Sequence, residues 1–152
     1  MVGRLNESRK RRSQFTIGWR EWVDLPDLGG ARIKAKIDTG ARTSAVHAWE
    51  IEPFERDGAP WVRFDLHPKQ KNNHHRIGCE APVFDERLIR SSNGQISKRF
   101  VIRTRLKLGS RTWPIDLTLS RRDEMGFRML LGRTALRSRT LIDAAASYLC
   151  GN

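Results

Sequence analysis

The clearest pattern along the chain is a period-two alternation of apolar and basic residues from Ala31 to Ile37. Alternation at this period is typical of a strand with one buried face. Comparable runs lie at Ile17–Leu25, Ile96–Leu108 and Trp113–Leu119, with turn-forming residues between them. Many short strands joined by turns predict an all-β protein, either a sandwich or a barrel.

Two glycine-containing turns predict hairpins. Asn-Gly or Asp-Gly between extended segments is a strong short-range hairpin signal. Asn93-Gly94 is the stronger case in this chain, and Asp57-Gly58 is the second. The extended segments expected on either side are Val83–Arg90 and Ile96–Leu108 for the first turn, and Trp49–Phe54 and Pro60–Leu66 for the second.

The last quarter of the chain predicts a strand, a short helix and a final strand. Met129–Gly132 is a buried apolar run, Arg133–Ser138 has helical character, and Thr140–Ile142 is extended. At 152 residues, the length fits one ordinary domain, which we place at residues 15–152. Residues 1–14 read as a disordered basic arm.

The formal net charge is +12, and most of it lies outside the arm. Residues 1–14 hold five cations and one anion, so +8 of the total belongs to the rest of the chain. A surplus of this size attracts acidic polypeptides, phosphates or acidic lipids. Weak, non-specific nucleic-acid binding is therefore expected, together with a solvated basic surface.

Composition also bears on location. No apolar run approaches the roughly 18 residues that a membrane span needs, so no membrane association is expected. The basic residues near Met1 have no apolar segment behind them, unlike a secretory signal. Two cysteines, Cys79 and Cys150, form no disulfide framework. We expect a reduced, cytoplasmic protein.

Asp38-Thr39-Gly40, directly after the alternating strand, is the leading site candidate. The triplet taken alone is most simply a turn. If two such carboxylates meet, like charges a few Å apart share one proton. The ionised carboxylate can then activate water while the protonated one polarises a carbonyl group. Only one Asp-Thr-Gly occurs here, so a second chain would have to supply the other acid.

The order of several motifs resembles that of the retropepsins. Lys36–Ala41 resembles their catalytic loop, the hairpin at Gly94 their flap, and Leu130–Leu136 their apolar-apolar-Gly-Arg segment before a short helix. A closer resemblance is to a bacterial family named ATP-dependent zinc proteases, whose fold is similar to retropepsin. Its hallmarks resemble Ile17–Val23, Lys36–Ala45 and Met129–Arg133, and the likeness covers about residues 17–143.

The resemblance implies a closed, all-β retropepsin-like barrel with a hairpin flap and one short C-terminal helix. It implies a homodimer that uses Asp38 of each chain, with Thr39 hydrogen-bonded across the interface and Gly40 allowing close approach of the substrate. The flap would be Leu88–Lys98. The substrate-binding residues that the resemblance implies are Ala41, Arg42, Asn93, Gly94 and Arg133.

The chain departs from the retroviral pattern at Arg42. There the pattern has an acid that pairs with the arginine of the Gly-Arg segment, here Arg133. We expect Arg133 to find another partner among Asp123, Glu124 and Asp143. The stretch between the acid and the flap is also longer, because it contains the Trp49–Leu66 hairpin.

Zinc and ATP, which the name of that family mentions, have no matching motif in the sequence. It contains neither a His-Glu-x-x-His helix nor a phosphate-binding Gly-rich loop. His67, His74, His75 and Cys79 are chemically able to bind zinc, but their spacing fits no standard site. No cofactor is expected. A Ser44 nucleophile paired with His47 is disfavoured, because residues three apart on a strand face opposite sides.

Three functions remain open. The first is an aspartic peptidase that hydrolyses extended peptides, with glutamate-rich substrates suggested by the charge and by that family's association with ATP-grasp glutamate ligases. The second is a non-catalytic module that binds acidic peptides or RNA. Trp49 or Trp61 could stack a base in that case, although core packing is the simpler role. The third is a zinc peptidase.

Overall fold

Ten strands and one short helix make up the part of the chain that the structure describes. The computed structural model describes residues 15–69, 75–90, 93–121, 126–136 and 140–151. The basic arm predicted at residues 1–14 lies outside these ranges. In chain order the elements are β1 Phe15–Leu25, β2 Ala31–Asp38, β3 Ser44–Arg56, β4 Ala59–Leu66, β5 Ile77–Pro82, β6 Asp85–Arg90, β7 Ile96–Leu108, β8 Arg111–Ser120, β9 Met129–Gly132, a 3-10 helix Arg133–Ala135 and β10 Thr140–Ser147.

Six of these strands form a closed barrel. The ring runs β1, β2, β9, β3, β8 and β7, and it closes where Asp24 of β1 pairs with Lys107 of β7. Outside the ring, β10 runs parallel to β1, β6 pairs with β7, and β4 and β5 extend from β3 as a second sheet. The predicted all-β closed barrel is confirmed.

The alternation in β2 sorts its side chains as predicted. Ala31, Ile33, Ala35 and Ile37 are buried, and the residues between them are exposed or half-buried. The inward residues of the other barrel strands and of β4 complete one core, in which Phe64 of β4, Leu106 and Leu117 are fully buried. Burying an aliphatic or aromatic side chain of this size stabilises a fold by about 1.5–3 kcal/mol.

Both predicted hairpins are confirmed. Arg56 pairs with Ala59 across the Asp57-Gly58 turn, and both turn residues have positive φ, 53° and 78°. Two central residues with positive φ are the mark of a type I′ turn, whose twist matches that of the strands. The second hairpin joins β6 to β7, with Gly94 at a φ of 84°.

Several element boundaries differ from the sequence prediction. β3 is one strand of 13 residues that begins five residues before the predicted segment Trp49–Phe54, and a bulge between Trp49 and Glu52 bends it without ending it. Strand β5 was not predicted, and β10 continues to Ser147. The predicted helix is reduced to the three residues of the 3-10 turn, with residues 137–139 outside the described part. No helix in the described ranges is long and apolar enough to cross a membrane.

Candidate active site

The Asp38 carboxylate is held by its own turn. Strand β2 ends at Asp38, and the side chain lies half-buried on the face that carries Lys34 and Lys36. Its Oδ1 accepts hydrogen bonds from the Gly40 amide at 3.1 Å and the Ala41 amide at 3.3 Å. Oδ2 accepts no hydrogen bond from the described residues. One oxygen is thus fixed, and the other is available to a water or a partner group.

The end of β9 packs against this loop. Gly132 pairs with Asp38 in register, and its amide donates to the buried Ser44 hydroxyl at 3.0 Å. A Cβ atom on residue 132 would lie 2.5 Å from the Thr43 oxygen and 2.9 Å from the Ala41 oxygen. Only glycine allows this approach of two backbones. The Asp38 loop and the end of β9 therefore pack backbone to backbone.

Arg133 and Thr134 extend the same support. The Arg133 amide donates to the Ala41 oxygen at 2.8 Å, and its guanidinium Nη1 donates to the Gly40 oxygen at 3.3 Å. The Thr134 hydroxyl donates to the Arg42 oxygen at 2.5 Å. Arg133 thus binds a carbonyl of the Asp38 loop.

The partner expected for Arg133 from the sequence is therefore different from the one observed. Asp143 makes no ion pair with it among the described residues, and its Oδ1 instead accepts from the Ala145 amide at 3.0 Å. Asp123 and Glu124 lie outside the described residues.

The β6–β7 hairpin has the exposed apolar surface expected of a flap. Leu88 and Ile96 are 73% and 58% exposed. At the tip, Asn93 Oδ1 accepts a hydrogen bond from the Gln95 amide at 3.3 Å, and Gly94 supplies the positive φ that the turn needs. Residues 91 and 92 lie outside the described part. The roles of Asn93 and Gly94 in substrate binding stay predictions.

The residues considered for zinc do not form a ligand cluster in the described part of the chain. No group of three or more His, Cys, Asp and Glu side chains there is placed to hold a metal ion. His67 is buried and stacks on Trp49 at 3.8 Å between ring centroids. Burial and the charge of Asp65 raise the pKa of Cys79 to about 12, which disfavours the thiolate that zinc requires. His75 is exposed, and His74 is not among the described residues.

Ser44 and His47 serve separate structural roles. The Ser44 hydroxyl is used by Gly132, whereas the buried His47 ring stacks on Trp49 at 3.7 Å between ring centroids. His67 also stacks on Trp49, and the Arg128 guanidinium lies 4.8 Å from the centroid of the same ring. Stacking of a nucleic-acid base on Trp49, which the sequence left open, would require one of these imidazoles to move.

Glu21 is an important residue to which the sequence reasoning gave no role. It is fully buried in β1, and its carboxylate accepts hydrogen bonds from three backbone amides. These are Gly18 at 2.6 Å, Leu149 at 2.9 Å and Cys150 at 3.0 Å. An acid between Trp19 and Trp22 was the available signal. It ties the last residues of the chain to the barrel strand beside β2.

Residues 16–151 match the family described as RimB-like, the retropepsin-like aspartic endopeptidase RimB. The match covers the Asp38 loop, the flap and the Gly132–Arg133 segment together. The chain belongs to the RimB-like family. That family is described as an aspartic endopeptidase, so the zinc-protease name is not confirmed.

Curated relatives of this RimB-like chain are longer proteins named as ligases. A "Probable alpha-L-glutamate ligase" of Shewanella halifaxensis is 50% identical over 139 residues, 91% of this chain and 30% of the relative. One with the same name in Desulfotalea psychrophila is 50% identical over 135 residues, 89% of this chain and 29% of the relative. The chain thus spans about 30% of the length of the curated relatives it matches.

A solved structure has the same fold. The crystal structure of a Legionella pneumophila protein of unknown function superposes with a TM-score of 0.75 and 26% identity, covering 91% of this RimB-like chain and 99% of that one.

Proposed function

We propose that this protein is an aspartic peptidase whose active form is a homodimer, with one Asp38 contributed by each chain. The observation that carries the proposal is the Asp38 turn itself, in which Oδ1 is fixed by two amides and the loop is packed on Gly132. Membership in a family of retropepsin-like aspartic endopeptidases supports it. The sequence contains one Asp-Thr-Gly, so the second acid has to come from a second copy.

The proposed chemistry needs no group besides the two carboxylates and a water. Two Asp38 side chains facing each other share one proton, because both cannot ionise at close range. The ionised carboxylate removes a proton from the water as it attacks the scissile carbonyl, and the other carboxylate donates its proton to the carbonyl oxygen. The resulting tetrahedral intermediate collapses as the C–N bond breaks. The carboxyl group that took the water proton gives it to the leaving amine, and the hydroxyl formed from the carbonyl oxygen returns its proton to the other carboxylate.

The flap would hold an extended peptide over this dyad. Main-chain pairing of the kind found in strand addition gives affinity without reading side chains. The exposed Leu88 and Ile96 would lose water contact when a substrate or the second flap covers them. Each apolar side chain covered in this way adds about 25 cal/mol per Å² of buried surface.

We also propose that the substrates are acidic and rich in glutamate. Two observations support this class of substrate. The chain outside residues 1–14 carries a net charge of +8, and the longer relatives are named alpha-L-glutamate ligases. A peptidase domain in such a protein would act on a glutamate-containing product. A reducing, cytoplasmic location fits Cys79 and Cys150, which are both free thiols.

The test compares wild-type protein with Asp38→Asn on oligoglutamate and oligoglutamine peptides of equal length, read by mass spectrometry. Asparagine keeps an Oδ1 acceptor for the Gly40 and Ala41 amides, so the fold should be retained. Loss of the general base should lower kcat by roughly 10²–10⁴-fold. Asp57→Asn, a change in another exposed turn, is the control. Unchanged cleavage by Asp38→Asn would refute the peptidase proposal.

The alternative function is a binding module without turnover. The basic surface favours it, since a net +8 outside the arm attracts acidic peptides and, weakly, nucleic acid. It predicts that affinity falls steeply with salt and is the same in wild type and Asp38→Asn, with no peptide cleaved by either. Cleavage that depends on Asp38 would exclude it.

A further inference from the structure

A small cavity lies where the Asp38 loop meets the base of the flap. It has a volume of about 140 Å³, several times the 30 Å³ that one water occupies in the liquid. This is enough for one side chain of modest size. Its lining residues come from four segments of the chain, namely Arg42, Thr43, Arg87, Asp116, Thr118 and Thr134.

The position of this cavity is coupled to that of the catalytic turn. Arg42 follows Asp38 in the same loop, and its backbone oxygen accepts hydrogen bonds from the Thr134 amide at 3.3 Å and hydroxyl at 2.5 Å. Arg87 lies in β6, the first strand of the flap. A peptide that lies over Asp38 and under the flap would therefore pass the mouth of the cavity.

The charges around the cavity leave one guanidinium without a counter-charge. Arg87 faces Asp85 at 3.5 Å, and Asp116 is paired with Arg103 at 3.0 Å. Within the described part of the chain, no carboxylate lies within ion-pairing distance of the exposed Arg42 guanidinium. The cations Arg42, Arg87 and Arg103 therefore outnumber the anions Asp85 and Asp116 by one. The cavity region carries this single excess positive charge at Arg42.

We propose that this cavity is a subsite for a substrate carboxylate, with Arg42 as the main specificity-determining residue and Arg87 as the second. The inference rests on the proposed peptidase function. A guanidinium binds a carboxylate through two parallel N–H···O hydrogen bonds, which gives direction as well as charge. The Thr118 hydroxyl lines the same space and can donate to a carboxylate oxygen, whereas the Thr134 hydroxyl donates to the Arg42 backbone oxygen.

The geometry favours an acidic side chain over a neutral amide of the same size. A glutamine side chain offers one acceptor oxygen and a donor NH₂, and the NH₂ would face the donors of Arg42. A site that hydrogen-bonds one polar group rejects an analogue that leaves the donors of the site unpaired once the bound peptide covers them. The subsite would therefore distinguish Glu from Gln in one position of the substrate, which uniform surface charge cannot do.

The experiment uses peptides in which a single Glu is moved along the positions that flank a fixed scissile bond, each with a Gln counterpart. The measured quantity is the Glu-to-Gln ratio of kcat/KM at each position for wild type, Arg42→Gln and Arg87→Gln. We expect Arg42→Gln to lower this ratio at least roughly tenfold at one position, mainly through KM, as for the loss of a charged hydrogen bond. Arg87→Gln should lower the same position less.

Arg63→Gln is the matched control, because it removes the same charge from β4, outside the lining of the cavity. Retention of the wild-type ratio at every position in Arg42→Gln and Arg87→Gln would overturn the subsite. An equal effect of Arg63→Gln would also overturn it, since long-range attraction would then explain the preference. Equal unfolding midpoints of the variants establish that the fold is kept.

A binding measurement distinguishes failure of the subsite proposal from failure of the peptidase proposal. If wild type cleaves no peptide, calorimetry with Asp38→Asn still reports whether a Glu peptide binds more tightly than its Gln counterpart. Adding Arg42→Glu should abolish that preference and give a preference for a Lys counterpart. An unchanged preference for Glu would refute the subsite whatever the outcome for catalysis.

Discussion

Gly132 lies so close to Thr43 that a Cβ atom on residue 132 would stand 2.5 Å from the Thr43 carbonyl oxygen. The obstacle is backbone, so it cannot rotate away as a side chain would. The Gly132 amide donates a hydrogen bond to the Ser44 hydroxyl at 3.0 Å. The glycine of the apolar-apolar-Gly segment is thus required by contact with the loop that carries Asp38.

Gly132→Ala should therefore displace the Asp38 loop and destabilise the barrel. Forcing an extra methyl group into a well-packed site typically costs about 1–3 kcal/mol. The loss should appear as a lower urea midpoint, and peptidase activity should fall further than the folded fraction alone explains. Gly126→Ala is the control, because a Cβ there meets nothing within 4 Å among the described residues. Equal midpoints for the two variants would contradict this account.

The sequence predicted the part of the site that depends on local pattern. Period-two alternation predicted β2 and its end at Asp38, because this period fits a strand with one buried face and does not fit a helix. Turn chemistry located both hairpins, because Gly58 and Gly94 supply the positive φ that these turns need. Resemblance supplied only the order of the Asp38 loop and the Gly132 segment, since nothing local in either segment reports their contact.

The features that the sequence did not predict depend on tertiary contacts. β3 begins at Ser44, before the predicted segment Trp49–Phe54, and continues through a bulge where Glu50 has a φ of 50°. The Gly40 carbonyl is the partner of Arg133, and a backbone acceptor leaves no trace in residue types. The three amides that bind Glu21 lie at both ends of the chain, so its role appears only after folding.

Glu21→Gln should destabilise the attachment of the C-terminal residues to β1. The carboxylate accepts from the Gly18, Leu149 and Cys150 amides, whereas glutamine would turn an NH₂ group toward some of these donors. A buried donor left without an acceptor costs about 1–3 kcal/mol. Chemical denaturation measures the total loss, and hydrogen exchange at residues 149 and 150 locates it.

Glu52→Gln controls for the charge change in Glu21→Gln. Its side chain is exposed on β3, and the change should be nearly neutral. Wild-type exchange protection at Leu149 and Cys150 in the Glu21→Gln protein would show that these hydrogen bonds do not hold the C-terminal residues.

The Asp27–Arg105 pair should make stability depend on pH at the acidic end. Arg105 donates to Asp27 at 2.7 Å, and this hydrogen bonding lowers the pKa of the Asp27 carboxyl below its usual value. Because folding lowers this pKa, the ionised group stabilises the folded state above the ordinary Asp pKa of about 3.9. That contribution is lost as the pH falls through the lowered value.

Asp27→Asn should accordingly lower the unfolding midpoint at pH 7, and the difference from wild type should shrink below about pH 4. Arg105→Gln should give the same pH dependence, and the double variant should be little worse than either single one, since both remove one interaction. A difference that is the same at pH 3 and pH 7 would show that the charge of Asp27 contributes nothing.

Subunit mixing tests whether one active site uses two Asp38 side chains. When wild-type and Asp38→Asn chains are unfolded together and refolded, they should combine at random, because the exposed Asp38 loop gives no reason for self-selection. Activity should then fall roughly as the square of the wild-type fraction, since only dimers with both acids can share a proton. A linear decline would mean that each chain works alone and would exclude the shared dyad. Asp57→Asn chains, mixed in the same proportions, should leave the activity per total chain unchanged.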